Sequence, residues 1–214
     1  MYLCDKAKHA GWLCFPVLRR AGADRRPVLP TMFLQAMLTR KGCLYGYANA
    51  DILFDESLAY SLESVLSSKV LEESALDDQP LFVTSRRTRV KNVTRSDAVD
   101  LVALRKKCEE KGVMDTEWAE DVFITSSNFP WITLPDVVIG LASYDNWLVL
   151  RANELSRRTV DIFETTLVVH QSTETDDLDR VRKVDFYNRR LITNMYGAYN
   201  DQRGRLLCTY FISN

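Results

Sequence analysis

The chain has 214 residues, 46% hydrophobic and 27% charged, so it can bury a core of its own and is too apolar for a disordered chain. Its 28 Lys and Arg nearly balance 29 Asp and Glu, which argues against a dedicated nucleic-acid binder, because such proteins carry a clear basic excess. Five scattered cysteines with no Cys-x-x-Cys pair suit neither a zinc site nor a dense disulfide framework, while one or two disulfides remain open.

No apolar run approaches the roughly 18–20 residues that span a bilayer, and the opening MYLCDKAKHAGW is not a signal peptide. A soluble body with no visible signal or anchor is therefore expected, in one domain over residues 1–214. The segment up to Gly11 suits a short helix, and Trp12–Leu18 (WLCFPVL) reads as a strand. Arg19–Pro30 is loop-like. Thr31 is placed to cap a helix whose apolar residues Phe33, Ala36, Met37 and Leu38 recur at helical spacing. Tyr45–Phe54 reads as one strand, breaking into a turn at Asp55-Glu56, and Ser57–Leu76 as one or two helices ended before Pro80.

Leu81–Ser85 is the next expected strand. Ser85–Lys91 (SRRTRVK) follows as a basic cluster, read as a solvated loop or as a surface for a pyrophosphate or an acidic partner. A helix is expected over Ala98–Lys111, stopped by Gly112. Strands then follow at Val122–Thr125 and Val137–Ile139, a helix from about Asp145 to Leu155, and two short β runs at Val160–Phe163 and Thr166–His170. Strands alternating with helices imply an α/β sandwich with helices on both faces of a mostly parallel sheet. Ligands in such folds gather beyond the carboxyl ends of the strands.

Four places carry residues capable of chemistry. Asn49 and Asp51 interrupt an aromatic and aliphatic run, two apart, which on a strand puts both on one face. A buried carboxylate needs a partner, a hydrogen bond or a metal; on pattern alone a strand-end turn with Asp51 as its cap is the leading reading. Glu120 and Asp121 open a short apolar run and read first as solvated loop. Asp145 stands at a helix start, where a carboxylate satisfies free backbone N–H groups. His170 closes a hydrophobic strand, a position more often structural than ligating. With only two histidines in the chain, it would need a carboxylate such as Asp51 to complete an oxygen-rich site for Mn²⁺ or Mg²⁺. No GxGxxG, GxxxxGK[ST], HExxH or GxSxG occurs.

In order and spacing, PTMFLQA, YGYANADILF, EDVFI, LPDVVIGLASYDNWLVLRA and TLVVHQ resemble a group of GT-A-like nucleotide-diphospho-sugar transferases, from about Cys4 to Gln171 and more loosely through Tyr187–Leu191. The resemblance implies a GT-A-like three-layer sandwich in which the chain begins at the first helix, so that the opening strand is missing. It also implies metal-dependent transfer of a sugar from a nucleoside diphosphate, with a UDP-sugar as the expected donor, to a hydroxyl of a glycan or protein acceptor. Nucleic acid is not an expected partner, and no membrane span is. Asn49 and Asp51 match the family's metal motif, with Asp51 as a ligand of Mn²⁺ or Mg²⁺ and Asn49 on the donor side. Asp121 would line the donor-sugar pocket, Asp145 would face the acceptor as general base, and His170 would be a second metal ligand. The alternative is a non-catalytic GT-A-like module that binds a protein or glycan partner.

Overall fold

The structure is a computed structural model that describes residues 2–68, 79–155, 158–172, 186–204, 206 and 210–211. Its main sheet is built outward from β8 (Glu120–Ser126), six of whose seven residues are buried. β8 pairs antiparallel with β3 (Leu44–Ala48) on one side and with β5 (Leu81–Arg86) on the other. β9 (Arg158–Asp161) lies parallel to β5, and β11 (Tyr210–Phe211) parallel to β9. β5, β8 and β9 are buried on both faces, with side chains alternating between them. Phe82 and Phe123 point into a cluster with Leu29, Phe33, Trp131, Trp147, Leu148 and Ile192. Leu81, Val83, Val122, Ile124 and Val160 point into the opposite one with Val65.

The first cluster is covered by α2 (Leu29–Thr39), α6 (Tyr144–Leu155) and α7 (Tyr187–Tyr196), the second by α3 (Ser57–Ser67). Trp131 anchors the first: its ring stacks on Phe33 at 3.8 Å between centroids, and its buried indole N–H donates to Thr125 Oγ1 at 3.0 Å. β1 (Arg20–Ala21) and β2 (Arg26–Pro27) form an antiparallel pair of their own, and apart from it a second sheet holds β4 (Ile52–Phe54), β10 (Val168–Ser172), β6 (Thr88–Lys91) and β7 (Val113–Met114), in that order. α5 (Leu101–Lys111) packs Leu104 and Cys108 against its Val90 and Val169.

The protein is thus mixed α/β, as expected in class, but its sheets are mixed rather than mostly parallel. Connection length is the reason. A parallel pair in one sheet needs a crossover of a dozen or more residues. Here β3 is followed by β4 after three residues and β5 by β6 after one. Each time the chain leaves the main sheet for the second one. It passes between them again from β7 to β8 and from β9 to β10, and these four short crossings all fall at one end of the main sheet's strands, whereas β5 and β11 are entered from the other end.

Several local expectations change with this topology. Tyr45–Phe54 is two strands in two sheets, divided by a turn at 49–51. Trp12–Leu18 forms no strand; the segment runs back from α1 (Tyr2–His9) through Gly11, whose positive φ of 83° suits a glycine, and a Cys4–Cys14 disulfide ties it to the helix. Thr31 caps nothing, because α2 already begins at Leu29, with Pro30 in the first turn where no amide partner is needed. The helix expected over Ala98–Lys111 is split into α4 (Arg95–Val99) and α5 by Asp100, whose carboxylate accepts from Val102 N and Ala103 N and starts the second helix. Val137–Ile139 contributes only an isolated bridge between Val138 and Val28. The part of Ser57–Leu76 beyond Ser68 and Cys208 lie outside the described residues. Among those described, no helix is long and apolar enough to cross a membrane.

Gly204 docks the C-terminal segment on α6, its N–H donating to Asn146 O at 2.9 Å. A Cβ there would stand 2.8 Å from Leu150 Cα and 2.9 Å from Val149 C, backbone atoms that cannot rotate away. Gly204→Ala should therefore destabilise the fold by about 1–3 kcal/mol, read as a lower urea midpoint at unchanged slope.

Candidate functional site at the edge where the sheets cross

The pairing of Ala48 with Val122 brings Asn49 alongside Asp121. Asn49 N–H donates to Asp121 O at 3.2 Å, and the Asn49 amide Nδ2 donates to Asp121 Oδ1 at 2.8 Å. Tyr47 OH donates to Asn49 Oδ1 at 2.6 Å, and Tyr144, in the first turn of α6, hydrogen-bonds to the Tyr47 hydroxyl. Burial pushes the Tyr47 phenol up to about 12, with the charges of Asp121 and Asp51 adding to it against the Tyr144 hydrogen bond. Tyr144 lies well above its ordinary value, first through its own burial.

Arg87, the one residue between β5 and β6, closes the other side. Its Nε donates to Asp115 Oδ2 at 2.7 Å, and its Nη1 pairs with Asp121 Oδ2. Arg89 Nε meets the second Asp115 oxygen at 2.7 Å. The basic cluster is therefore no solvated loop: Arg87 is 11% exposed and its charge is matched by two carboxylates, Asp115 from the β7–β8 connection and Asp121 from the start of β8. Burial works to lower its pKa, but those charges and hydrogen bonds hold it above the usual value. The same pairing leaves Asn49 and Asp121 with their polar atoms engaged by each other and by Tyr47 and Arg87.

A row of acids lines the inner side. Asp145, half-buried as the second residue of α6, accepts from the adjacent Asn146 N at 3.0 Å; it is a first-turn acid rather than the N-cap expected from its sequence position, because the helix already begins at Tyr144. Burial nonetheless pushes it up to about 6, helped by the charge of Asp121 and opposed by Asn146 N–H and Arg87. Glu120 is 1% exposed. Its Oε2 accepts from Asn146 Nδ2 at 3.2 Å, while Oε1 meets no partner among the described residues. Burial, with the charge of Asp145 next, raises it well above the carboxylate range. Asp161, at the end of β9, is also pushed up to about 6 by burial; it accepts from Phe163 N, and Arg86 stands 3.7 Å away with its guanidinium over the Phe163 ring.

Asp51 and His170 form a separate pair. Asp51 is half exposed, and His170 Nε2 lies 3.3 Å from its Oδ2. His170 Nδ1 sits 3.1 Å from Ser172 Oγ, so the ring is oriented from behind. The expectation that Asn49 and Asp51 share a strand face fails because β3 ends at Ala48: in the turn, Asn49 faces Asp121 and Asp51 faces His170. Among the described residues no three His, Cys, Asp or Glu side chains gather as a metal-binding group.

Sequence reasoning singled out Asn49, Asp51, Asp121, Asp145 and His170 but missed Asp161 as a site residue, and it read Arg87 only as part of a basic run. Asp161 carries the signal that exposed Asn49 and Asp51, an acid interrupting an apolar run (TVDIF).

The raised acids set a pH dependence. Asp145 and Asp161 bind protons more tightly folded than unfolded, so between the ordinary 3.8 and about 6 the native state holds more protons. Stability should therefore fall as pH rises through that window, by about 2 kcal/mol per group. Urea unfolding at a series of pH values should show this slope in the wild type and a flatter one in Asp145→Asn with Asp161→Asn; equal slopes would place the proton uptake elsewhere.

Comparison of the chain with protein-family models, with curated proteins and with solved structures finds no match.

Proposed function

We propose that this edge is the donor and acceptor site of a metal-dependent glycosyltransferase, moving a sugar from a nucleoside diphosphate, a UDP-sugar first, to a glycan or protein hydroxyl. The mixed sheet with helices on both faces is on this reading a GT-A-like sandwich. The observation that supports it most is that one turn carries both Asn49, bonded to Asp121 at 2.8 Å, and Asp51, paired with His170 at 3.3 Å. That end of the strands so combines a half-exposed carboxylate paired with a buried imidazole and a half-buried carboxylate, Asp145, raised to about 6.

The residues fit a divalent cation of one kind. Asp51 and His170 offer two donors, too few for a free-standing cage but suited to Mn²⁺ or Mg²⁺, which take their remaining ligands from substrate phosphates and water. Bound there, the cation would offset the charge growing on the leaving diphosphate. Asp145 would accept the proton of the acceptor hydroxyl as the new glycosidic C–O bond forms and the sugar–phosphate bond breaks, a role matched to a pKa of about 6. Arg87, pinned by Asp115, would hold the Asp121 carboxylate in one orientation against the donor sugar. The second reading, a non-catalytic module, draws on the mutual saturation of Asn49 and Asp121.

Thermal unfolding with UDP, GDP and their sugars, with and without Mn²⁺, tests both readings, since a ligand that binds the native state raises the melting temperature by mass action. Mn²⁺ alone should shift it little and Mn²⁺ with a nucleoside diphosphate clearly. Asp51→Ala should remove the Mn²⁺-dependent part while leaving the free protein folded; an equal response in both would remove Asp51 from the site. Asp145→Asn keeps the shape and an oxygen that can accept from Asn146 N–H, so binding should persist while turnover falls by about 10²–10⁴-fold. Donor binding without hydrolysis of any common sugar nucleotide would favour the non-catalytic module.

A further inference from the structure

The first 41 residues hold eight Lys and Arg against two Asp and no Glu, a net charge of +6, while the whole chain stands at −1. The same stretch carries an uncovered apolar strip. Trp12 is 71% exposed, Leu13 59%, Phe15 52% and Leu18 64%, four large side chains within seven residues. Gln35 Nε2 donates to Pro16 O at 3.2 Å, bringing α2 alongside, and Leu38, one turn further on that helix, is 88% exposed. The strip is held in shape: Trp12 N–H donates to Ala7 O at 2.9 Å, and the Cys4–Cys14 disulfide, with its Cα atoms 5.8 Å apart, locks the segment against α1. Lys6, Lys8, Arg19, Arg20, Arg40 and Lys41, all exposed, surround it in sequence.

Isolated exposed apolar residues are ordinary, but a Trp, Leu, Phe, Leu strip in a basic setting marks an interaction surface. A second copy of this chain is a poor occupant, because like-charged patches repel when brought together. We propose that this disulfide-locked hairpin docks on an anionic lipid surface, Trp12, Leu13, Phe15 and Leu18 entering the headgroup–acyl boundary while the surrounding cations meet lipid phosphates and carboxylates. Trp, Phe and Leu beside Lys and Arg is the chemistry of interfacial attachment, and it requires no membrane-spanning helix. The surface is independent of the proposed transfer site.

The test is flotation of the full chain with vesicles of phosphatidylcholine alone or with phosphatidylserine, alongside tryptophan fluorescence. Trp131 and Trp147 are buried and Trp118 is half-buried under Arg203, so the shift is assigned to Trp12 by its absence in Trp12→Phe. The expected result is binding to phosphatidylserine vesicles only, a blue shift on binding, and release by salt. Trp12→Ser with Phe15→Ser should abolish the binding. Lys8→Glu with Arg40→Glu should weaken it by at least about tenfold, since each cation near such a surface is worth about a fivefold gain in partitioning. All four side chains are exposed, so each variant should unfold at the wild-type temperature, and either one alone suffices as a test. The proposal is overturned by absence of binding, by equal binding to both vesicle types, or by binding that survives both variants. Light scattering that shows a wild-type dimer dissociated by Trp12→Ser with Phe15→Ser would also overturn it, in favour of a second copy.

Discussion

Arg87 has to satisfy two carboxylates at once. It is the only residue between a strand of the main sheet and a strand of the second sheet, so its backbone cannot retreat, and Asp115 approaches it from the connection between β7 and β8 and Asp121 from the start of β8. Removing one partner of such a buried set leaves an uncompensated charge, and breaking pairs of this kind typically costs about 3–5 kcal/mol. The geometry of the edge follows from this point. Asp121, held on one oxygen by Arg87, presents the other to Asn49, and Asn49 in turn receives Tyr47. Through Tyr144 the chain of hydrogen bonds reaches the first turn of α6, and with it Asp145.

The same constraint separates two electrostatic environments a few residues apart. Outside it, Asp51 keeps about half of its side chain in solvent and pairs with His170. Inside, Glu120, Asp145 and Asp161 are partly or wholly desolvated, and burial is the largest cause of each upward pKa shift. Carboxylates whose surroundings push their proton affinities apart are the arrangement from which acid and base roles arise. A structural ion-pair network can perturb pKa values too. Asp145 combines a bond from the first-turn N–H of Asn146 with a value of about 6.

The four crossings explain how short sequence elements build one site. β3, β5 and β9 end, and β8 begins, at the same edge, because β8 runs antiparallel to its two neighbours and β9 parallel to β5. Crossing residues cannot join either ladder, so their polar groups need other partners, and side-chain carboxylates, amides and guanidinium groups supply them. A site made of turn residues on rigid strands is the usual division of labour between scaffold and function.

By itself the sequence determined the element types and the residues at stake. Apolar runs bounded by Gly, Pro and acids marked β5, β8 and α6 with nearly correct bounds, because strands buried on both faces read as short continuous apolar runs and a buried helix as a longer one. Asn49, Asp51, Asp121 and Asp145 stood out because polar groups beside apolar runs need a reason. Tertiary structure alone decided that Tyr45–Phe54 is two strands in two sheets, that Asn49 and Asp51 part to face Asp121 and His170, and that Arg87 is buried between two acids. The physical reason is common to all three. Local periodicity records which face of an element is buried, whereas the partner of a charge or the neighbour of a strand lies far along the chain, 72 residues away in the case of Asn49 and Asp121.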